Sequence, residues 1–254
     1  MTDDLTETMN SDITHVEFIG PPGAGKSTLY RKLTADSRVI GEHDPIAIRR
    51  TLLANWGSKY RLLYRLVPPF VREHLERALI FYRLGHPGLE EFIRDYPEFV
   101  AIIARAMDSA AHEPERIFSL SCMTAERYQI STSAAHPDEI ACLDEGFAQK
   151  AAGILWRMGE REFPIKDYLD CVPSPDLLVF VDAPADVCIK RQQERGDINL
   201  DKPWTGDNLE RAHNEYYEHF EAVVEHVDSP VVRIENVGDP DDAVERIQTE
   251  LFDQ

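Results

Sequence analysis

The sequence predicts an α/β fold: a parallel sheet with helices on both faces and a large helical insertion between two of its strands. Three observations carry this. Thr14 to Ile19 is a strand-like run that enters a glycine-rich turn and then Ser27–Leu33, where Leu29 and Leu33 share a helical face. Leu177-Leu178-Val179-Phe180-Val181 is an unbroken apolar run, the pattern of a strand covered on both faces. From 46 to 135 no strand pattern occurs, while apolar residues recur at helical spacing.

The glycine-rich turn reads Gly20-Pro21-Pro22-Gly23-Ala24-Gly25-Lys26-Ser27, followed by Thr28. It fits G-x-x-x-x-G-K-[ST], the phosphate-binding P-loop, in the strand–loop–helix context that motif needs. Glycines let backbone N–H groups converge on phosphate oxygens, and the helix N-terminus adds partial positive charge. In that chemistry Lys26 reaches the β/γ-phosphates and the Ser27 hydroxyl ligates Mg²⁺. The alternative is an ordinary glycine-rich turn.

Composition narrows the function. At 254 residues the chain suits one α/β domain with an insertion, or two small domains. Its 46 Asp+Glu against 27 Lys+Arg give a formal charge of −19, which argues against a nucleic-acid partner. Only seven of the cations are lysine, and an acidic chain richer in Arg than Lys suits a salt-adapted, halophilic setting. The four cysteines show no metal-like spacing; Cys142 and Cys188 sit in apolar patterns as small buried residues of a reducing, cytoplasmic compartment. No apolar run is long enough to span a membrane, and no signal peptide is evident. Residues 1–12 read as a disordered acidic tail before a domain over 13–254.

After the first helix, Arg38–Glu42 predicts a short second strand. Pro45 to Arg72 then contains no acid but carries Arg49, Arg50, Lys59, Arg61, Arg65 and Arg72 beside an apolar stripe, the pattern of a basic amphipathic helix. Its arginines either pair with distant carboxylates, bind an anionic acceptor, or dock on acidic lipid. Asp44, Arg49, Arg50 and Arg61 are the acceptor-binding candidates. A helix capped near Gly85 should follow, then a turn at His86-Pro87-Gly88 and a short helix from Leu89 to Tyr96. The next is expected from Pro97, with Val100, Ile103, Met107 and Ala110 as its apolar face, and another from Arg116 to Ser133.

The sheet resumes at Glu139–Leu143 and ends on Asp144-Glu145-Gly146. An acid at the C-terminal edge of a parallel strand is placed to hold Mg²⁺, so Asp144 is a metal-site candidate. Glu145 is a candidate for orienting or deprotonating the nucleophile. Phe147 to Met158 predicts a helix, and a short one ends near Val172. Glu17 stands inside the first strand, where a buried carboxylate needs a partner that the sequence does not name. Ala185–Arg195 is a helix with Arg191 and Arg195 four apart on one face; residues 196–206 form a polar lid. A long helix through Phe220, a strand at Val231–Ile234 and a closing helix over Pro240–Phe252 complete the chain.

The P-loop, the strand-ending Leu143-Asp144-Glu145-Gly146, Pro175–Asp182 and Arg191-Gln192-Gln193-Glu194-Arg195-Gly196 occur in the order seen in nucleoside-monophosphate kinases. The chain resembles the thymidylate kinase branch, over residues 14–44 and 139–252. That resemblance implies a three-layer P-loop kinase fold with five parallel strands in the order 2-3-1-4-5. It also implies ATP and Mg²⁺ as cofactors, catalysis by Lys26, Asp144, Arg191 and Arg195, with Ser27 and Asp144 serving Mg²⁺, and Asn236-Val237 near the adenine; Glu145 is a candidate from its own position after the acid. Asp144-Glu145-Gly146 departs from that branch, which places Arg after the acid, and residues 46–135 match none of its substrate-side helices. The expected activity is transfer of the ATP γ-phosphate to a small molecule, a nucleotide or nucleoside first. The alternatives are a nucleotide-dependent switch binding a partner through the insertion, and a sugar or lipid-metabolite kinase at the membrane face. A homodimer stays open.

Overall fold

In the computed structural model, residues 14–42, 44, 47, 49–51, 64, 67, 68, 85–195 and 209–252 are described. The expected acidic tail, the lid over 196–206 and Arg61 lie outside them. The elements in order are β1 (His15–Ile19), α1 (Lys26–Leu33), β2 (Val39–Gly41), α2 (Gly85–Asp95), α3 (Phe99–Ser109), α4 (Pro114–Ala134) and β3 (Ile140–Leu143). Then follow α5 (Phe147–Met158), α6 (Ile165–Asp170), β4 (Leu177–Asp182), α7 (Ala185–Arg195), α8 (Leu209–His226), β5 (Val231–Glu235) and α9 (Pro240–Phe252). The strands form one five-stranded sheet in the order β2-β3-β1-β4-β5, as expected. Every pairing is parallel, so all strands end at the same edge.

Strand periodicity divides the core in two. Val16 and Phe18 of β1 and Leu177, Val179 and Val181 of β4 face α1 and α9 through Leu29, Leu33, Ile247 and Leu251. Ile19, Leu178 and Phe180 face the other way, onto Phe147 and Ile154 of α5 and Phe220 of α8. Both faces of β1 and β4 are therefore apolar except at His15, Glu17 and the terminal Asp182, which explains the unbroken run in β4.

The helices α2, α3 and α4 join that second core. Phe92 of α2 is fully buried, with ring centroids 4.7 Å from Tyr96, 5.0 Å from Phe99, 5.3 Å from Phe147 and 5.9 Å from Tyr128. One aromatic cluster thus ties the insertion to the helix that follows β3.

Three local expectations change. The turn at His86-Pro87-Gly88 is instead the start of α2, because Pro in a first helical turn forfeits an N–H that has no intrahelical acceptor anyway. The buried face of α3 is Phe99, Ile102, Ile103 and Ala106, while Val100 is 47% exposed. Phe99 rather than Val100 meets the aromatic cluster, which rotates the helix by about one residue (~100°). The short helix before β4 starts at Ile165 and stops at Asp170.

Truncating Phe92 to Ala should lower the unfolding free energy by about 3–5 kcal/mol in urea denaturation. Val100→Ser should stay within about 0.5 kcal/mol of wild type.

Candidate functional site

The loop between β1 and α1 is shaped by where its carbonyls go. Lys26 Nζ donates to Gly20 O at 2.6 Å and Pro21 O at 3.2 Å. Gln192 Nε2 donates to Pro22 O at 3.0 Å. Arg191 Nη1 takes Gly23 O at 3.4 Å and Ala24 O at 3.2 Å, and Asn236 Nδ2 takes Ala24 O at 2.7 Å. Five successive carbonyls are thus held by side chains. Among the described residues the amides of Gly23, Gly25, Lys26 and Ser27 have no protein acceptor. A peptide's N–H and C=O point opposite ways, so holding Pro22 O and Ala24 O turns the Gly23 and Gly25 amides to the other side of the loop, and the Lys26 and Ser27 amides join them as the open N-terminal end of α1, where an anion fits.

Glycine is required where α7 and the β5–α9 loop press in. At Gly23 (φ +87°) a Cβ would lie 2.3 Å from Cys188 O, and at Gly25 (φ +101°) one would lie 2.2 Å from Asn236 Nδ2. The same Asn236 and Arg191 are joined to each other: Arg191 Nη2 donates to Asn236 O at 3.0 Å. Gln149 Oε1 accepts the Gly20 amide at 3.1 Å and fixes the loop's other end.

Lys26 is buried, which pushes its ammonium pKa down against the opposing pull of Glu145 and Asp144. Asp144 follows β3 directly, at the same edge. Burial pushes its carboxyl up, with the facing Ser27 hydroxyl and Lys26 acting the other way. Its Oδ1 is buried and accepts no hydrogen bond. Glu145 is half-exposed and held below the usual carboxylate range chiefly by Lys150, whose Nζ lies 2.6 Å away. Arg127 Nη1 meets buried Glu42 at 3.2 Å on the insertion side.

These groups fit a nucleotide-bound Mg²⁺. A buried carboxylate oxygen without a partner faces a hydroxyl at the start of a helix, and Mg²⁺ takes few protein ligands when phosphates supply the rest. Among the described residues no cluster of three or more His, Cys, Asp or Glu offers a self-sufficient metal cage.

Lys26, Ser27, Asp144 and Glu145, expected to act together, are therefore brought to one edge of the sheet. Arg191 is there too, but as a brace on the loop's carbonyls. Arg195 is exposed at the end of α7. Asn236 grips the loop, and Val237 beside it is 52% exposed. Arg49 Nε donates to the Tyr64 hydroxyl at 3.1 Å, and Asp44 sits just beyond β2. Arg50 has its own carboxylate partner. It pairs with Glu139 and donates to Ala134 O at 3.1 Å, next to the N-terminal end of β3 and so opposite the phosphate loop. The residues that sequence reasoning missed, Gln149, Gln192, Lys150 and the Glu42–Arg127 pair, carry no local signal.

No family model and no curated protein matches the chain. Among solved structures it is similar to a deoxyadenosine kinase from M. mycoides with bound dCTP: 13% identity, 95% of this chain, 100% of that chain and a TM-score of 0.49. A shikimate kinase from Acinetobacter baumannii in complex with shikimate aligns at 13% identity over 95% of this chain and 94% of that one, with a TM-score of 0.43. Likenesses this distant carry no chemistry. No helix among the described residues is long and apolar enough to cross a membrane.

Burial of Asp144 sets a pH signature. The unfolded chain releases this proton near pH 3.8, whereas the native protein holds it to higher pH, so the group's contribution to stability falls as pH rises between the two. Asp144→Asn should therefore raise the thermal midpoint of the nucleotide-free protein at neutral pH, with the gain shrinking as pH falls towards the unfolded value.

Proposed function

We propose that this protein is an ATP-dependent phosphotransferase, which moves the γ-phosphate of Mg-ATP to a small acceptor. The observation that carries the reading is the phosphate loop with its carbonyls tied outward, standing beside Ser27 and the partner-free Asp144 oxygen. The inward amides bind the β- and γ-phosphates, and Lys26 leaves its loop carbonyls to follow the transferring group. Ser27 and Asp144 would hold Mg²⁺, and their part would be to place its charge beside the phosphates. Asn236 and Val237 border the base, and Arg195 brings charge from the edge of the lid.

We place the acceptor on the side of α4 and α5, between Glu145 and the Glu42–Arg127 pair, and read it as a nucleotide or nucleoside in the manner of thymidylate kinase-like proteins. Two cations there are matched by carboxylates: Arg127 by Glu42 and Lys150 by Glu145. A carboxylate beside the acceptor orients its nucleophilic oxygen or takes up its proton.

ADP release should be measured in molar KCl with Mg²⁺ across nucleoside monophosphates, nucleosides and sugars. Acceptor-dependent release that disappears in Lys26→Ala is expected, with Arg195→Ala slower by about a thousandfold, the scale of an arginine at a phosphoryl-transfer centre. Slow ATP hydrolysis indifferent to every acceptor would overturn the kinase reading in favour of a switch.

A further inference from the structure

Glu17 takes no part in the chemistry above, yet its side chain is wholly buried in the central strand directly behind the site. An unmatched carboxylate there is costly, so its contacts say what it is for. Oε2 accepts the Ala148 amide at 2.9 Å, and Oε1 lies 3.3 Å from Nε2 of His15, which is itself buried. Ala148 is the second residue of α5. The residue in the cap position, Gly146, has no side chain to satisfy the first turn. A carboxylate from a neighbouring strand therefore caps this helix, where negative charge also suits the helix dipole.

The contact shapes the turn that it caps. A Cβ on Gly146 would fall 2.1 Å from Glu17 Cδ, so the glycine after Asp144-Glu145 exists to admit this carboxylate. Asp144 and Glu145 span the gap between the end of β3 and that fixed point. One turn further, Lys150 bonds back to Glu145 at 2.6 Å, and its own amide donates to Gly146 O at 3.1 Å. The phosphate loop meets α5 at one point, where Gln149 accepts the Gly20 amide at 3.1 Å; its central carbonyls, Pro22 to Ala24, are braced from the other side by Asn236, Arg191 and Gln192.

We propose that Glu17 is a positioning residue for the cation: by capping α5 from β1 it sets where Asp144 stands relative to Ser27. This rests on the phosphotransferase reading of the same site. It separates two properties that ordinary core damage would lower together. Affinity for nucleotide phosphates belongs to the loop and its own braces. The extra affinity conferred by Mg²⁺ depends on Asp144, hence on Glu17.

The test is ATP binding to the full chain by calorimetry, once in EDTA and once in excess MgCl₂. Wild type is compared with Asp144→Asn, Glu17→Gln, Glu17→Leu and Gly146→Ala. Mg²⁺ should tighten ATP binding to wild type, and Asp144→Asn should lose most of that gain. Glu17→Leu, which removes the cap, and Gly146→Ala, which displaces it, should each lose at least tenfold of the Mg²⁺-dependent gain while binding in EDTA stays within threefold. Glu17→Gln keeps a carbonyl acceptor for the Ala148 amide and should retain the gain to within threefold. Should Glu17→Leu fail to fold, Gly146→Ala decides alone. A full Mg²⁺ gain in the displaced variants, or an equal loss in EDTA, overturns the positioning role and leaves the phosphotransferase reading standing. A wild type that binds no ATP, or binds it without regard to Mg²⁺, overturns both.

Discussion

The outward anchoring of the phosphate-loop carbonyls is the constraint on which the site depends. A glycine-rich loop is permissive; what shapes this one is that its central carbonyls are held by side chains from elsewhere in the chain. Gln192 serves Pro22, Arg191 serves Gly23 and Ala24, and Asn236 reinforces Ala24. With the acceptors committed outward, the amides have only the concave side to face. Preorganised dipoles of this kind act without reorganising as charge develops, which is the electrostatic form of catalysis that phosphoryl transfer uses. Packing and chemistry meet here: the glycines that bend the loop are also those that let α7 and Asn236 approach closely enough to hold it.

The helix α5 links this receptor to the rest of the fold. Its first turn accepts a cap from β1, gives Gln149 to the loop and gives Lys150 to Glu145. Phe147, in the same turn, belongs to the aromatic cluster that carries α2, α3 and α4. Four consecutive residues, Phe147 to Lys150, thus join the central strand, the phosphate loop, the acid at the end of β3 and the insertion. Disturbance of the insertion has a short physical route to the site through Phe92 and Phe147, whose ring centroids are 5.3 Å apart.

Much of this arrangement was legible in the sequence because its signals are local. The P-loop is a contiguous motif, β4 is a contiguous apolar run, and Asp144 follows directly on a strand; the strand order came through the family resemblance and stands. What the sequence withheld depends on contacts between distant positions. Nothing near Glu17 names Ala148, 131 residues away, as its partner. Nothing near Arg191 says that it holds loop carbonyls 167 and 168 residues back. Nothing in the acid-free stretch around Arg50 names Glu139, 89 residues away, as its partner. The face of α3 was misjudged by one position because Val100 and Phe99 fit the period nearly equally, and the aromatic cluster chose Phe99.

The most direct test of the central claim is a comparison of ATP, ADP, AMP and adenosine as ligands of the full chain in the presence of Mg²⁺. If affinity resides in amides aimed at the β- and γ-phosphates, ATP and ADP should bind, and AMP and adenosine should bind at least about a hundredfold more weakly, a loss on the scale of two charge-assisted hydrogen bonds. Equal affinity for all four would mean that the loop is not a phosphate receptor, and the account would fail at its foundation.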